Sequence, residues 1–247
     1  MLSRLAFSYM WSYNNIDFNM ETNGEFAIID RLFNTPPKVL FDVGANIGKW
    51  SSKVCERFPL AQLHSFEIAP AVHALLQRRL QNTNVVINGF GLSDQIKTLK
   101  LKYHPDRNEL SSLHIDATHF PFAWEIIDAQ VTTGDAYCRQ YGVESIDFLK
   151  IDTEGHDLSV LRGFSEMLAQ NKIVAIQFEY NEMAIFSRTY LRDFYELLSE
   201  RYEIGRILPM GAAFKNYVPM DENFLPANFL AIAKTRPELT ERMRFPA

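Results

Sequence analysis

The stretch KVLFDVGANIGKWSSKV, Lys38 to Val54, constrains the fold more than any other part of the chain. A continuous apolar run leads into a glycine-bearing turn, and the turn leads into a helix start. Strands buried on both faces read as unbroken apolar runs, and a glycine turn feeding a helix is how α/β proteins receive nucleotides. Elsewhere, short runs of β-branched and aromatic residues alternate with amphipathic stretches, which predicts βαβ units around a mostly parallel sheet. The predicted strands are Val39–Val43, Leu63–Glu67, Val85–Leu92, Asp147–Ile151, Val174–Tyr180, Glu203–Leu208 and Phe229–Ala233. The predicted helices are Gly24–Phe33, Gly48–Phe58, Pro70–Gln81, Asp135–Tyr141, Leu158–Ala169 and Tyr190–Glu200.

No Ser/Gly-rich linker, repeat or low-complexity block divides the 247 residues, so a single domain is expected over 1–247. Its parts are an aromatic-rich N-terminal cap (1–37), a core (38–234) and a mixed-charge tail (235–247) read as a solvated end. The cap aromatics are expected to pack over the sheet edge. Net charge is −5 and the Lys and Arg residues are scattered, which argues against a nucleic-acid partner and for a small molecule. Cys55 and Cys138 lie far apart without metal-ligand spacing, so two reduced, buried thiols are expected. Polar residues interrupt the first seventeen positions before a signal-peptide core forms, and no run approaches a membrane span; the expected compartment is the cytosol. After the third strand, TLKLKYH alternates like an antiparallel strand and opens a polar excursion, 103–122, long enough to cover a site.

Asp42, Gly44 and Gly48 form D-x-G-x-x-x-G between strand and helix. The dinucleotide fingerprint is not met, because Asn46 stands where a second glycine would admit a pyrophosphate. A cofactor without phosphates fits better. Gly44 lets the chain turn tightly, Gly48 lets the helix close, free amides at the helix start are expected to take a carboxylate, and Asp42 to take an ammonium. Glu67, at the end of the next strand, is placed to accept from a ribose diol, and Ser93 and Asp94 after the third strand are placed to meet an adenine edge. An adenosine bearing an amino-acid tail is S-adenosylmethionine.

The segments FDVGANIGKWS, HSFEIAP, GLSD, TTGDAY, IDFLKIDTEGHDLSVLRGF and IQFEYN together resemble the FkbM-like family of class I S-adenosylmethionine-dependent methyltransferases across about Lys38 to Tyr180, with Lys150-Ile151-Asp152-x-Glu154-Gly155 the most specific. The resemblance implies a Rossmann-like α/β fold: a seven-stranded, mostly parallel sheet in the order 3-2-1-4-5-7-6, strand 7 reversed, with helices on both faces. It implies O-methylation of a hydroxyl on a sugar-like or natural-product acceptor, free or part of a glycan, with S-adenosylhomocysteine as product. Cofactor contacts are expected from Asp42, Gly44, Ala45, Asn46, Gly48, Glu67, Ser93, Asp94 and Asp152. Two positions depart from the family pattern: Gly134, where a leucine is usual, and Asp157, where a glutamate is usual.

If strands 1, 4 and 5 are neighbours, Asp42, Asp152 and Glu179 lie side by side at the carboxyl edge with Glu154 beyond. Methyl transfer to a hydroxyl needs alignment and a proton acceptor. Asp152 is the first expected base, because crowding by other carboxylates should raise its pKa; His156 is the alternative base. Asp152, Glu154 and Glu179 also have the chemistry of a Mg²⁺ or Ca²⁺ site, an alternative to a site assigned no metal. Glu154 and Glu179 otherwise cap a helix or hold the acceptor. Lys150, in an apolar strand, should pair with a carboxylate. Asp135 is expected to cap the helix that it begins. Ser111–Leu113 is expected near the cofactor or acceptor, and His104, His114 and His119, which lack a compact metal-ligand spacing, to shape or cover an acceptor pocket or simply to be exposed. DTEG stands where a nucleic-acid amine methyltransferase would carry Asn- or Asp-Pro-Pro-aromatic, which argues against that class. A catalytically silent cofactor-binding protein and an NAD-dependent oxidoreductase are the competing classes; the missing pyrophosphate glycine counts against the second.

Overall fold

The computed structural model describes residues 2–105, 111–114 and 124–245. The chain opens with α1 (Leu2–Tyr13) and α2 (Glu25–Leu32), then runs β1 (Val39–Val43), α3 (Lys49–Arg57), β2 (Gln62–Phe66), α4 (Pro70–Arg79) and β3 (Val86–Asn88). A short β4 (Gly91–Leu92) precedes β5 (Lys97–Tyr103) and β6 (Glu125–Thr132). The second half is α5 (Gly134–Tyr141), β7 (Ile146–Ile151), α6 (Asp157–Arg162), α7 (Ser165–Ala169), β8 (Ile173–Tyr180), α8 (Met183–Ser187), α9 (Leu191–Leu198), β9 (Tyr202–Leu208), β10 (Gly211–Phe214), β11 (Ala227–Ala233) and α10 (Pro237–Met243).

The main sheet has eight strands in the order β10-β9-β11-β8-β7-β1-β2-β3. Leaving out β10, this is the expected 3-2-1-4-5-7-6, and β11 is antiparallel to both neighbours, as expected of strand 7. The correction to seven strands is β10, which pairs antiparallel with β9 across a tight turn and extends the edge. Two layers of helices cover the sheet. Leu40, Phe148, Ala175, Leu230 and Ile232 point to one face and pack with Ile28, Ile29, Leu32, Trp50, Leu239 and Met243. Phe41, Val43, Leu149, Ile151, Ile176 and Phe178 point to the other and pack with Tyr137, Leu161, Phe164 and Phe194.

The predicted strand Val85–Leu92 is two strands. β3 stays in the main sheet, while β4 joins β6 and β5 in a separate three-stranded sheet. TLKLKYH is the antiparallel β5, and its partner is β6. The predicted helix Leu158–Ala169 divides into α6 and α7 around Gly163, whose missing side chain makes room for the Ser93 carbonyl: a Cβ would lie 2.0 Å from that oxygen. The tail is not a solvated end, because α10 buries Leu239 and Met243 against the sheet. In the cap, α2 packs as the expectation has it, but α1 leaves Phe7, Tyr9 and Tyr13 exposed. Cys55 and Cys138 are free thiols, Cys138 fully buried and Cys55 partly so. No helix among the described residues is long and apolar enough to cross a membrane.

Candidate active site

A cavity of about 580 Å³ opens at the carboxyl ends of β1, β2, β7 and β8, lined also by the cap, by Ser111–Leu113 and by the start of β11. Open α/β sheets place ligands at this edge, where the order of strands reverses. The β1–α3 turn forms its floor. Gly44 has φ +82°, and a Cβ there would lie 1.8 Å from the Asp152 carbonyl, so only glycine lets β1 and β7 approach so closely. The amides of Gly44 and Ala45 both donate to the Phe66 carbonyl, at 3.0 and 2.9 Å. Those of Asn46 and Ile47 donate to Glu67 Oε2 (2.9 Å) and Asn46 Oδ1 (2.7 Å). The sharp turn therefore satisfies its own donors, whereas at the start of α3 the N-cap Gly48 offers no side-chain acceptor to the first helical amides.

Two side-chain atoms are also left without partners. Trp50 Nε1 and Asp42 Oδ1 are buried without hydrogen-bond partners, and both residues line the cavity. An unpaired donor and an unpaired acceptor suit the carboxylate and ammonium of an amino-acid tail. Trp50 was missed in the sequence because its spacing marks it as core, which it also is. Asp42 Oδ2 accepts from Ser51 Oγ at 2.6 Å, and burial pushes the carboxyl up, opposed by the nearby Lys150 ammonium. Glu67 lines the cavity at the end of β2. Its Oε2 and Oε1 each take one amide, from Asn46 and from Ala69 at 2.8 Å, leaving each oxygen a further lone pair. Burial pushes its pKa up to about 7.

Gly48, Ser93 and Asp94 do not line the cavity. Gly48 faces α4, where a Cβ would lie 2.6 Å from Leu76 Cδ1. Ser93 is fully buried and bonds His156 and Asp94, while Asp94 pairs with Lys97 at 3.0 Å. Gly91 and Leu92, the two residues just before Ser93, line it instead.

On the far side, Lys150 Nζ lies 2.8 Å from Asp152 Oδ2 and 3.9 Å from Asp42 Oδ1. Burial alone would lower the ammonium, but the two carboxylates outweigh it and hold Lys150 above the ordinary lysine range. Asp152 is thus engaged by a cation. Glu154 and Glu179 are both pushed well above the usual carboxylate range by burial and then by the charge of Asp152. Carboxylate oxygens of Asp152, Glu154 and Glu179 lie within 4.8 Å of one another. Glu154 has φ +52°, and its carbonyl accepts from Ser112 Oγ at 2.8 Å, which fastens Ser111–Leu113 to the acidic loop. Asp157 ties that loop to β8: its oxygens accept from Thr153 Oγ1 (2.8 Å) and from the Glu179 amide (3.1 Å), and burial lifts it to about 6.

His156 is not placed as a free base. Its Nε2 meets Ser93 Oγ at 3.0 Å and its Nδ1 meets His114 Nε2 at 2.8 Å, while burial and the His114 neighbour push it down to about 3. His119 lies outside the described residues, and His104 stacks edge-on against Trp124. Asp135 does not cap its own helix, where Thr133 Oγ1 accepts from the Ala136 amide. It caps α7 instead, taking the amides of Glu166 (2.8 Å) and Met167 (3.1 Å). Gly134 has a local cause as well: a Cβ there would lie 2.3 Å from the Phe164 ring.

Residues 42–203, which carry the turn, Glu67 and the acidic loop, match the family model described as "Methyltransferase FkbM domain". The chain belongs to this family. Among its curated relatives is "Methyltransferase sdnD" of Sordaria araneosa, 30% identical over 158 residues, covering 51% of this chain and 60% of that protein. Another is "31-O-demethyl-FK506 methyltransferase FkbM" of Streptomyces tacrolimicus, 26% identical, covering 53% of this chain and 61% of the relative. A third is "2-O-methyltransferase NoeI" of Sinorhizobium fredii, 23% identical, covering 62% and 68%. The chain thus spans about three-fifths of the first two relatives' length. A solved FkbM methyltransferase of Methylobacillus flagellatus superposes with a TM-score of 0.48 at 16% identity, covering 79% of this chain and 43% of that one. FkbM membership matches the family read from the sequence motifs.

Proposed function

We propose that this chain is an S-adenosylmethionine-dependent O-methyltransferase acting on a hydroxyl of a small sugar-like or natural-product acceptor. One observation carries the reading: a single cavity is lined by Trp50 and Asp42, whose Nε1 and Oδ1 lack hydrogen-bond partners, by Glu67, and by the acids Asp152, Glu154 and Glu179. The FkbM family match supports methyl transfer, and the naming of one relative as a 2-O-methyltransferase supports oxygen as the atom methylated.

Trp50 and Asp42 would hold the amino-acid tail and Glu67 the ribose hydroxyls. When bound, S-adenosylmethionine supplies an electrophilic methyl on a sulfonium. The protein then has to align the acceptor oxygen and receive its proton. Glu154 and Glu179 take that proton in this reading, because a carboxylate whose pKa is raised toward neutrality is the stronger base. Asp152, held by Lys150, raises their pKa through its charge and borders the cofactor. A divalent cation among the three acids is the second reading, favoured by their 4.8 Å spacing. The Lys150 ammonium already supplies positive charge there, so activity is expected to persist in chelator.

The test is calorimetric titration of the full chain with S-adenosylmethionine and S-adenosylhomocysteine, with NAD as control. The adenosyl ligands should bind and NAD should not, and Glu67→Ala should weaken both adenosyl ligands about tenfold or more. Absence of adenosyl binding overturns the cofactor. Binding without methyl transfer to any hydroxyl acceptor leaves a silent cofactor-binding protein. Glu179→Gln and Glu154→Gln should each lower kcat about a hundredfold while sparing cofactor affinity.

A further inference from the structure

The cavity is not built from the family region alone. Asn23 and Glu25 of the cap and Pro226–Asn228 at the start of β11 line it, and all lie outside residues 42–203. These residues form a hydrogen-bonded series whose direction is fixed. Glu25, almost fully buried, accepts from Asn23 Nδ2 (2.8 Å) through one oxygen and from Gln177 Nε2 (2.7 Å) through the other. A carboxylate of this kind accepts and does not donate, so Gln177 must turn its NH₂ group toward Glu25. The same nitrogen reaches Asn228 Oδ1 at 3.3 Å. Gln177 Oε1 is left buried without a partner, which shows the direction being imposed on Gln177 by its neighbours. Asn228 therefore has its carbonyl engaged and its NH₂ left for the cavity that it lines. Glu179 is its direct cross-strand partner on β8, with Oε2 taken by Asn181 Nδ2 at 2.7 Å. Directly opposed residues of an antiparallel pair hold their side chains next to each other on one face.

We propose, resting on the methyltransferase reading above, that Asn228 is the hydrogen-bond donor that orients the acceptor, with Glu179 beside it as the matching acceptor. The group that satisfies both is an uncharged hydroxyl or a vicinal pair of hydroxyls, which accepts from Asn228 and donates to Glu179. An ammonium leaves the amide opposed by another donor, and a carboxylate meets Glu179 with like charge. Asn228 is thus a specificity-determining residue lying outside the family region, and Glu25 and Gln177 position it.

The test is saturation-transfer NMR on the full chain, with and without S-adenosylhomocysteine, using methyl hexopyranosides that present cis and trans vicinal diols. Their deoxy, 2-amino and uronate counterparts serve as further probes. The neutral diols should bind best, and Asn228→Asp, which replaces the donor by an acceptor at nearly constant shape, should weaken them about tenfold. S-adenosylhomocysteine affinity and the unfolding midpoint should stay unchanged in that variant. Glu25→Gln, which frees Gln177 to reverse, should give a smaller loss of the same selectivity. The proposal is overturned if no diol binds with or without the cofactor product, if Asn228→Asp binds diols as wild type does, or if the amino or uronate probe binds better. It is also overturned if Asn228→Asp weakens S-adenosylhomocysteine. Failure of wild-type protein to bind S-adenosylhomocysteine overturns the methyltransferase reading alone, because the diol titration of cofactor-free protein is read separately.

Discussion

Glu67 shows how one residue carries structure and ligand chemistry together. Its two oxygens hold the amides of Asn46 and Ala69, so the turn beneath the cavity and the start of α4 both depend on it. Its position was legible in the sequence from its place after β2, whereas its pKa of about 7 was not, because that follows from burial. The ionised carboxylate is the form that accepts two ribose hydroxyls. Affinity for S-adenosylhomocysteine should therefore fall as pH is lowered from 8 to 6 and Glu67 takes up its proton. Glu67→Gln should bind more weakly, by about tenfold at pH 8, and lose this pH dependence. Calorimetry at three pH values decides it; an equal pH dependence in the variant would remove Glu67 from the cofactor contacts. Asp152 teaches the reverse lesson. Sequence order placed it among the acids correctly, but it is held by the buried ammonium of Lys150, and burial and the Asp152 charge raise Glu154 and Glu179 instead.

Elements buried on both faces were the legible ones. β1, β7 and β8 are mostly apolar runs, and the predicted bounds of each lie within a residue of those observed. What escaped was set by tertiary contact: the Ser93 carbonyl that interrupts α6–α7, the second sheet that captures β4, and the sheet face that takes α10. The cavity's cap side escaped for the same reason, since Asn23, Glu25 and Asn228 are ordinary polar residues until Gln177 joins them. The cap itself divides by packing. Ile28, Ile29 and Leu32 of α2 are fully buried, whereas the side chains of α1 from Arg4 to Tyr13 are exposed. Helices of this length are marginal in water without a packed face. Removing residues 2–13 should leave the urea midpoint nearly unchanged, because Asn14, which holds Arg206, is retained. Ile29→Ala should cost about 2–5 kcal/mol. A large loss on removing α1 would mean that it is covered by protein in solution.

At the scale of the whole molecule, the buried ionisable groups give the fold an uncommon response to pH. Asp42, Glu67, Glu154, Asp157 and Glu179 all have pKa values raised by burial, to about 7 for Glu67 and about 6 for Asp157. In the unfolded chain such groups titrate near about 4. Between these limits the folded state holds protons that the unfolded state has lost, so their contribution is complete below about pH 4 and is lost as pH rises through the folded values. The buried histidines act in the opposite sense. His64 and His156 are lowered by burial to about 4 and about 3, so they destabilise the fold only once the unfolded chain protonates them, below about pH 6.5. From pH 8 to 6.5 the carboxylates therefore act almost alone, and the cofactor-free protein should become more stable as acid is added. Below that the two histidines oppose the gain from the five acids, so the rise becomes shallower. The urea midpoint should rise between pH 8 and 6.5 in wild type and rise less in Glu179→Gln, which removes one of the titrating acids. A midpoint that is flat or falls over this interval would mean that the acids share counter-charge in solution, and with it the case for Glu154 and Glu179 as the proton acceptors would fail.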